Sequence, residues 1–358
     1  YINAIGSEPV DLSCITEITG SLEIENSITL SIDLSSVGSI GDELNIHSND
    51  SLESVDLSSL TSVGHYLQIQ SNDDLVTVDL SGLLVVDEHL SVTSNTSLET
   101  LTLTSLTEVG DQFNFNSNGN LEMIDMPSLV EVGTQMYINS NSSLETITLP
   151  SVVEINSDIS IESNYALDEI SMPVLVEVGG NLNIQRNEGM TTLDMPSLNS
   201  ISGQLYLYQN YDLETVNLAS LATVSSSFNI QYSYALDSID LSSLTEVGGS
   251  MEFYENDDMH TVDMPALLEV GSSMNIYGND SLTSFSASLL SSLGSSLTIR
   301  DNSDLTDVDF SSLTCISDFT IEGNDLSEES HYDLLVALTC SSEDSLIVFR
   351  STDADDFC

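Results

Sequence analysis

Seven aspartates, Asp56, Asp79, Asp125, Asp194, Asp240, Asp263 and Asp309, lie at multiples of 23 residues from one another, and each is flanked by two apolar residues, as in Val78-Asp79-Leu80. Carboxylate oxygens in rows are the ligands Ca²⁺ prefers. Two more acidic columns keep the same period: Glu53, Glu99, Glu122, Glu145, Asp168, Glu214 and Asp237, and then Glu108, Glu131, Glu154, Glu177, Glu246 and Glu269. Like charges at strand spacing repel by about 1 kcal/mol per pair in water, and by less in salt. Two readings stand: a solvated acidic coat suited to brine, and cation binding between rows. No loop of calcium-site type occurs, so bound Ca²⁺ would be weak and distributed, at Asp56, Asp79, Asp240 and Asp263. No other cofactor is implied.

A second group is aromatic. Tyr206, Tyr208, Tyr211, Tyr232, Tyr234, Tyr254 and Tyr277 fall on four consecutive periods. Gathered aromatics suggest a contact surface for a glycan or a neighbouring subunit, although tyrosine also suits exposed strands. Catalytic chemistry finds little support. The five histidines (His47, His65, His89, His260, His331) have no metal-ligand spacing and no nucleophile beside them. A lyase acting on acidic sugars needs basic residues, and a hydrolase needs loops that break the repeat into a cleft. The chain has three arginines (Arg186, Arg300, Arg350), no lysine and no such loops, so it reads as a non-enzyme.

The formal net charge of -55 also argues against nucleic acid and anionic membrane surfaces as partners. No stretch approaches the roughly 18 apolar residues of a membrane span. With Tyr1 in place of a methionine, a processed or trimmed product is expected.

The elements that hold these residues follow from the period. Asparagine recurs at Asn49, Asn72, Asn95, Asn118, Asn141, Asn164, Asn187, Asn210, Asn256, Asn279 and Asn302, with Ser233 as the one substitute, and no insertion interrupts these twelve copies. Each copy has seven apolar positions; around Asn72 they are Leu67, Ile69, Leu75, Val78, Leu80, Leu83 and Val86. Columns that demand apolarity but accept Phe, Met, Ile, Val or Leu are what stacked layers of one core produce. The alternation Leu67-x-Ile69 and Val78-x-Leu80 has period two, so each copy is one coil of a parallel β-solenoid. Val55, Val78 and Leu101 must then lie in register along one interior line. The asparagines should form an inward ladder. A corner column of Gly64, Gly110, Gly133, Gly179, Gly248, Gly271 and Gly294 holds residues that accept a left-handed or sharply bent backbone.

The pattern L-x-I-x-x-N-x-x-L-x-x-V-D-L-P-S-L-x-x-V-G resembles the receptor L domain and its fungal cell-wall relatives over about residues 20 to 325. That resemblance implies a right-handed β-helix related to leucine-rich repeats, serving either as a ligand-binding module or as a wall or surface protein. The expected fold is thus an all-β, right-handed parallel β-solenoid of about 13–14 coils. Its parts are an N-terminal cap over 1–20, the solenoid over 21–325 and a C-terminal cap over 326–358. The C-terminal cap should contain a short helix over 327–338, N-capped by Ser327, and a strand at Leu346 to Phe349.

Cysteine placement bears on assembly. Cys14 stands at the start, and Cys315, Cys340 and Cys358 at the end, so Cys14 cannot reach the others within one chain. An odd thiol at each end permits head-to-tail disulfides between copies, and such heterologous contacts build open filaments; thiols that stay free, or partners in trimmed segments, are the alternatives. Four N-x-[ST] sequons, at Asn49, Asn95, Asn141 and Asn279, coincide with the ladder, where a glycan would destroy it; outward serines and threonines suit sugar better. The sequence therefore reads as an extracellular or cell-surface structural protein, a repeating subunit of a filament, fibre or sheath such as a flagellar hair. The alternative is a monomeric recognition or adhesion domain that binds a glycan or protein through its tyrosines. A third class is a mineral or calcium scaffold.

Overall fold

The structure, a computed structural model, describes residues 2–4, 14–314, 316, 318–327 and 346–349. Every element among the described residues is a strand, and every pairing is parallel. Counted along the chain there are about 13 turns, so the fold is an all-β parallel β-solenoid with a 23-residue repeat. It divides into two compact units: Tyr1–Gly179 with Arg186–Met190, and Gly180–Gln185 with Thr191–Cys358.

A coil contains three strands, shown by Leu67–Gln70, Thr77–Asp79 and Val85–Val86. Their lengths follow from the pleat, because successive side chains point to opposite faces and only alternate positions are apolar. In Leu67–Gln70 the inward Leu67 and Ile69 are buried and the outward Gln68 and Gln70 half-buried. The next coil repeats the arrangement one strand spacing away. Val78 pairs with Val55 on one side and Leu101 on the other, the register that the 23-residue turn requires. Val55 and Val78 are buried, whereas Leu101 is half-buried. In the first unit the sheet of three-residue strands comes in two runs: Ser31–Asp33 through Thr100–Thr102, and Met123–Asp125 through Glu169–Ser171. Leu101 lies on the last strand of the first run.

The asparagines line an interior corner, each fully buried. The backbone N–H of one asparagine donates to Oδ1 of the asparagine in the next coil, as from Asn49 to Asn72 (3.1 Å) and from Asn256 to Asn279 (3.1 Å). The side-chain Nδ2 donates to a main-chain carbonyl 26 residues back, as from Asn118 to Val92 (2.8 Å). A turn inside an apolar core would otherwise strand these backbone groups, at about 1–3 kcal/mol each. Ser233 cannot do this. Its N–H still donates to Asn256 Oδ1 (3.1 Å), but its buried hydroxyl has no partner.

The left-handed backbone is not where the glycine column suggested. It falls on the residue before each corner asparagine, including Ser71 (φ 53°), Ser94 (φ 56°) and Gln209 (φ 55°), and on Tyr232 (φ 56°) before Ser233. The glycine column has another cause, close approach between coils. A Cβ built on Gly133 would lie 2.0 Å from the Gly110 carbonyl oxygen, well inside contact distance.

At the ends, Ile2–Ala4 pairs with Leu22–Glu25, and Leu346–Phe349 pairs with Asp318–Glu322. No helix occurs among the described residues. Ser327, expected to cap one, donates its N–H to the Thr306 carbonyl at 3.0 Å, a link from coil to coil. Residues 328–338 of that expected helix lie outside the described residues.

Candidate interaction face

In the second unit the longest strands, of four or five residues, run from Leu182–Gln185 through Leu205–Tyr208, Phe228–Gln231, Met251–Tyr254 and Met274–Tyr277 to Ser296–Arg300. Their outward residues occupy two columns, four and two positions before the asparagine corner. From Asn183 to Arg300 these columns hold twelve residues: four tyrosines, five amides, Thr298, Glu252 and Arg300. The formal charge of this face is zero on a chain of net charge -55.

The tyrosines form one connected group. Tyr206 and Tyr208 stack at 5.3 Å between centroids, Tyr208 meets Tyr232 edge-on at 5.5 Å, and Tyr232 meets Tyr254 edge-on at 5.0 Å. Tyr254 stacks on Tyr277 at 5.0 Å and 10°, and the Arg300 guanidinium lies 5.1 Å from the Tyr277 centroid. Tyr211 and Tyr234 stack beside them at 5.3 Å, and Tyr234 meets Tyr232 at 6.3 Å. Each contact is worth about 0.5–1.5 kcal/mol beyond burial. Tyr232 enters the group because its left-handed backbone turns the strand end into the corner.

Hydrogen bonds and fields fix the protonation of this group. The Tyr254 phenol is held far above the ordinary tyrosine value, chiefly by hydrogen bonding with Tyr232 and Glu255. Burial, then the neighbouring Glu255, raises Tyr234. Both phenols are O–H donors at neutral pH, as an ordinary tyrosine already is, and stay so further into alkali. Burial also raises Glu252, whose Oε2 accepts from Gln231 Nε2 at 2.9 Å. Asp257, at the rim, is raised by burial and then by the charges of Asp280, Glu255 and Asp258.

The aspartate column serves its own corner. Oδ1 accepts the N–H of the serine two residues on, from Asp56 to Ser58 (3.0 Å), Asp79 to Ser81 (2.9 Å) and Asp240 to Ser242 (3.0 Å). This is an Asx-turn. Hydrogen bonds from the Ser242 side chain and backbone hold Asp240 below the usual carboxylate range. Asp263 is followed by Met264 and Pro265, and proline has no N–H to donate. Asp56 and Asp79 stand in register on neighbouring coils, and Asp240 and Asp263 stand on two other coils. The Glu108, Glu131, Glu154 and Glu177 column does stack in direct register.

The sequons at Asn49, Asn95, Asn141 and Asn279 sit on fully buried side chains. Cys14 is exposed with a free thiol, and Cys315, Cys340 and Cys358 lie outside the described residues. The amide residues of the outward columns were missed in reading the sequence. The signal available was charge: the corresponding columns from Asn45 to Glu162 and from Asn183 to Arg300 hold two acids in 24 positions, against seven in twelve for the aspartate column.

The chain matches the family model of the BspA type leucine rich repeat region, in six copies, over residues 38–168 and 183–303. No curated protein matches it. Among solved structures, the crystal structure of a leucine-rich repeat protein from Bacteroides ovatus ATCC 8483, at 1.19 Å resolution, matches at 16% identity with a TM-score of 0.29. That alignment covers 78% of this chain and 79% of the other.

Proposed function

Since the chain belongs to the BspA-type leucine-rich repeat family over most of its length, we propose that it is a non-enzymatic recognition or adhesion protein of the cell surface or extracellular space. Its contact surface is the tyrosine and amide face of the second unit. The observation that carries this reading is a hydrogen-bonding face of zero formal net charge on a chain of net charge -55. Stacking turns the faces of Tyr254 and Tyr277 toward each other, which leaves ring edges and hydroxyls for a partner. Phenol hydroxyls beside amides such as Asn229, Gln231 and Asn275 supply donors and acceptors at strand spacing. A neutral, polyhydroxylated glycan matches that chemistry. The acidic columns elsewhere repel anionic partners and keep the protein soluble.

Affinity electrophoresis through gels containing neutral or acidic polysaccharides tests the proposal. Retardation should occur in a neutral gel and weaken at least about tenfold in a Tyr208→Ala/Tyr254→Ala variant, a loss of about 1.4 kcal/mol. Retention of the variant equal to that of the parent chain, or retardation by no neutral polysaccharide, refutes it.

A second reading, a filament subunit linked head to tail, is favoured by one observation: Cys14 is an exposed free thiol. A ladder of multimers on a non-reducing gel, collapsing on reduction and absent in Cys14→Ser, supports that reading; a single monomer band removes it.

A further inference from the structure

We infer that Glu23, Glu25 and His47 form a site for one divalent transition-metal ion of the Zn²⁺ type. The strands Leu22–Glu25 and Leu44–His47 lie side by side, with Glu25 opposite His47 and Glu23 opposite Asn45. Their outward residues therefore share one face. His47 Nε2 lies 3.3 Å from Glu23 Oε1 and 3.9 Å from Glu25 Oε2, and the three ligand atoms fall within 4.8 Å of one another. The side chains are only about a quarter exposed: 25% for His47, 22% for Glu23 and 27% for Glu25.

Imidazole orientation supports a cation at this point. His47 Nδ1 is 3.3 Å from Ser48 Oγ, outside the cluster, so an Nδ1–H can donate there and leave the Nε2 lone pair facing both carboxylates. This is the outer-shell bond by which a metal-bound histidine is usually set. On the other side, Asn26 Nδ2 donates to Glu25 Oε2 at 3.3 Å. Three lone-pair atoms that converge this way repel unless a proton or a metal ion lies between them.

Ligand type selects the ion. One imidazole and two carboxylates match Zn²⁺, Co²⁺ or Ni²⁺, whereas Ca²⁺ and Mg²⁺ take oxygen alone. In a tetrahedral Zn²⁺ site with ligands at about 2.0–2.1 Å, the ligand atoms stand about 3.3 Å apart. The His47–Glu23 pair already meets that spacing, and the other gaps close by rotation of glutamate side chains. The other described imidazoles with an acidic neighbour are paired with one carboxylate each: His65 with Glu88 at 3.9 Å, His89 with Asp111 at 3.2 Å and His260 with Asp237 at 3.0 Å. Bound metal would staple the two strands across their outer face.

Calorimetric titration of Zn²⁺ into the full chain, with excess Ca²⁺ present to occupy the acidic coat, tests the site. The expected result is one saturable Zn²⁺ per chain, lost in His47→Gln and at least tenfold weaker in Glu23→Gln, with Glu154→Gln unchanged. Co²⁺ gives a second readout on the unaltered chain: an intense visible band that Zn²⁺ abolishes. Zn²⁺ uptake that Ca²⁺ displaces completely, or that survives His47→Gln, overturns the inference and leaves His47 as a protonated partner of the two glutamates.

Discussion

Ser233→Asn is predicted to stabilise the protein. At the neighbouring corners an asparagine amide reaches a carbonyl 26 residues back, at 2.9 Å from Asn210 to Ile184 and 3.0 Å from Asn256 to Ile230. An asparagine at 233 would reach the Leu207 carbonyl in the same way, and its Oδ1 would face the Asn210 N–H. Two added hydrogen bonds contribute about 0.5–1.5 kcal/mol each, and the unpartnered Ser233 hydroxyl is removed. Ordering one more side chain costs about 0.5 kcal/mol. The net gain is about 2 kcal/mol, or roughly 3–8 °C in Tm depending on how much of the chain unfolds together. The reverse change elsewhere, Asn118→Ser, removes the 2.8 Å bond to Val92 and the acceptor for Asn95 N–H at 3.2 Å, and should cost about 2–4 kcal/mol. Urea denaturation followed by circular dichroism measures both. A Ser233→Asn variant that is neutral or less stable, together with an Asn118→Ser cost below about 0.5 kcal/mol, would refute the assignment of corner stability to the amide ladder.

Two further outcomes follow from the backbone and the pKa directions. Ser94→Gly relieves a left-handed serine (φ 56°), worth about 1–2 kcal/mol, against the extra chain entropy of glycine, about 0.5–1 kcal/mol, so a gain of about 0.5–1 kcal/mol is expected in the same melts. For pH, the raised values of Glu252 and Asp257 mean that the folded chain binds their protons more tightly than the unfolded chain does. Their contribution is therefore present below the ordinary carboxylate pKa and lost as pH rises through the raised one. Stability should rise on mild acidification from neutrality, and Glu252→Gln should raise stability at neutral pH and shrink that rise. Asp240 acts oppositely: its lowered value makes its share fade only as pH falls further, through that depressed pKa, which urea melts across pH would resolve.

The turn of the solenoid was legible because every inward column repeats one physical demand, so Val55, Val78 and Leu101 could be placed in register from spacing alone. The asparagine corner was legible for the same reason, since a buried amide must recur wherever the backbone needs it. The left-handed position was not. Ser71, Arg186, Gln209, Tyr232 and Glu255 all occupy it alongside Gly278 and Gly323, so composition gives no signal, and in most coils the strain is met by the neighbouring ladder and not by glycine. The glycine column misled because glycine answers to two constraints, a φ that side chains avoid and a contact that leaves no room for Cβ. Here the second applies, as the 2.0 Å approach at Gly133 shows. The aspartate column carries a local role that its apolar flanks did not reveal: Asp56 and Asp79 accept from the serines two residues on.

In a solenoid any outward residue type is multiplied along its column, so each column reveals a balance between neighbours. Stacked acids such as Glu108, Glu131, Glu154 and Glu177 repel by about 1 kcal/mol per pair in water. Stacked aromatic and amide residues attract by about 0.2–1 kcal/mol per pair. Fold stability alone would favour neutral columns on every sheet, and solubility alone would favour acidic ones on every sheet. The chain does neither: acids recur in the outward columns of the two- and three-residue strands, while from Asn183 to Arg300 tyrosines and amides hold nine of twelve outward positions on the longer strands. A division by face requires a demand that differs by face. Contact with an uncharged, hydrogen-bonding partner is such a demand, because a carboxylate on that surface would have to be stripped of water on docking without a cation to meet it.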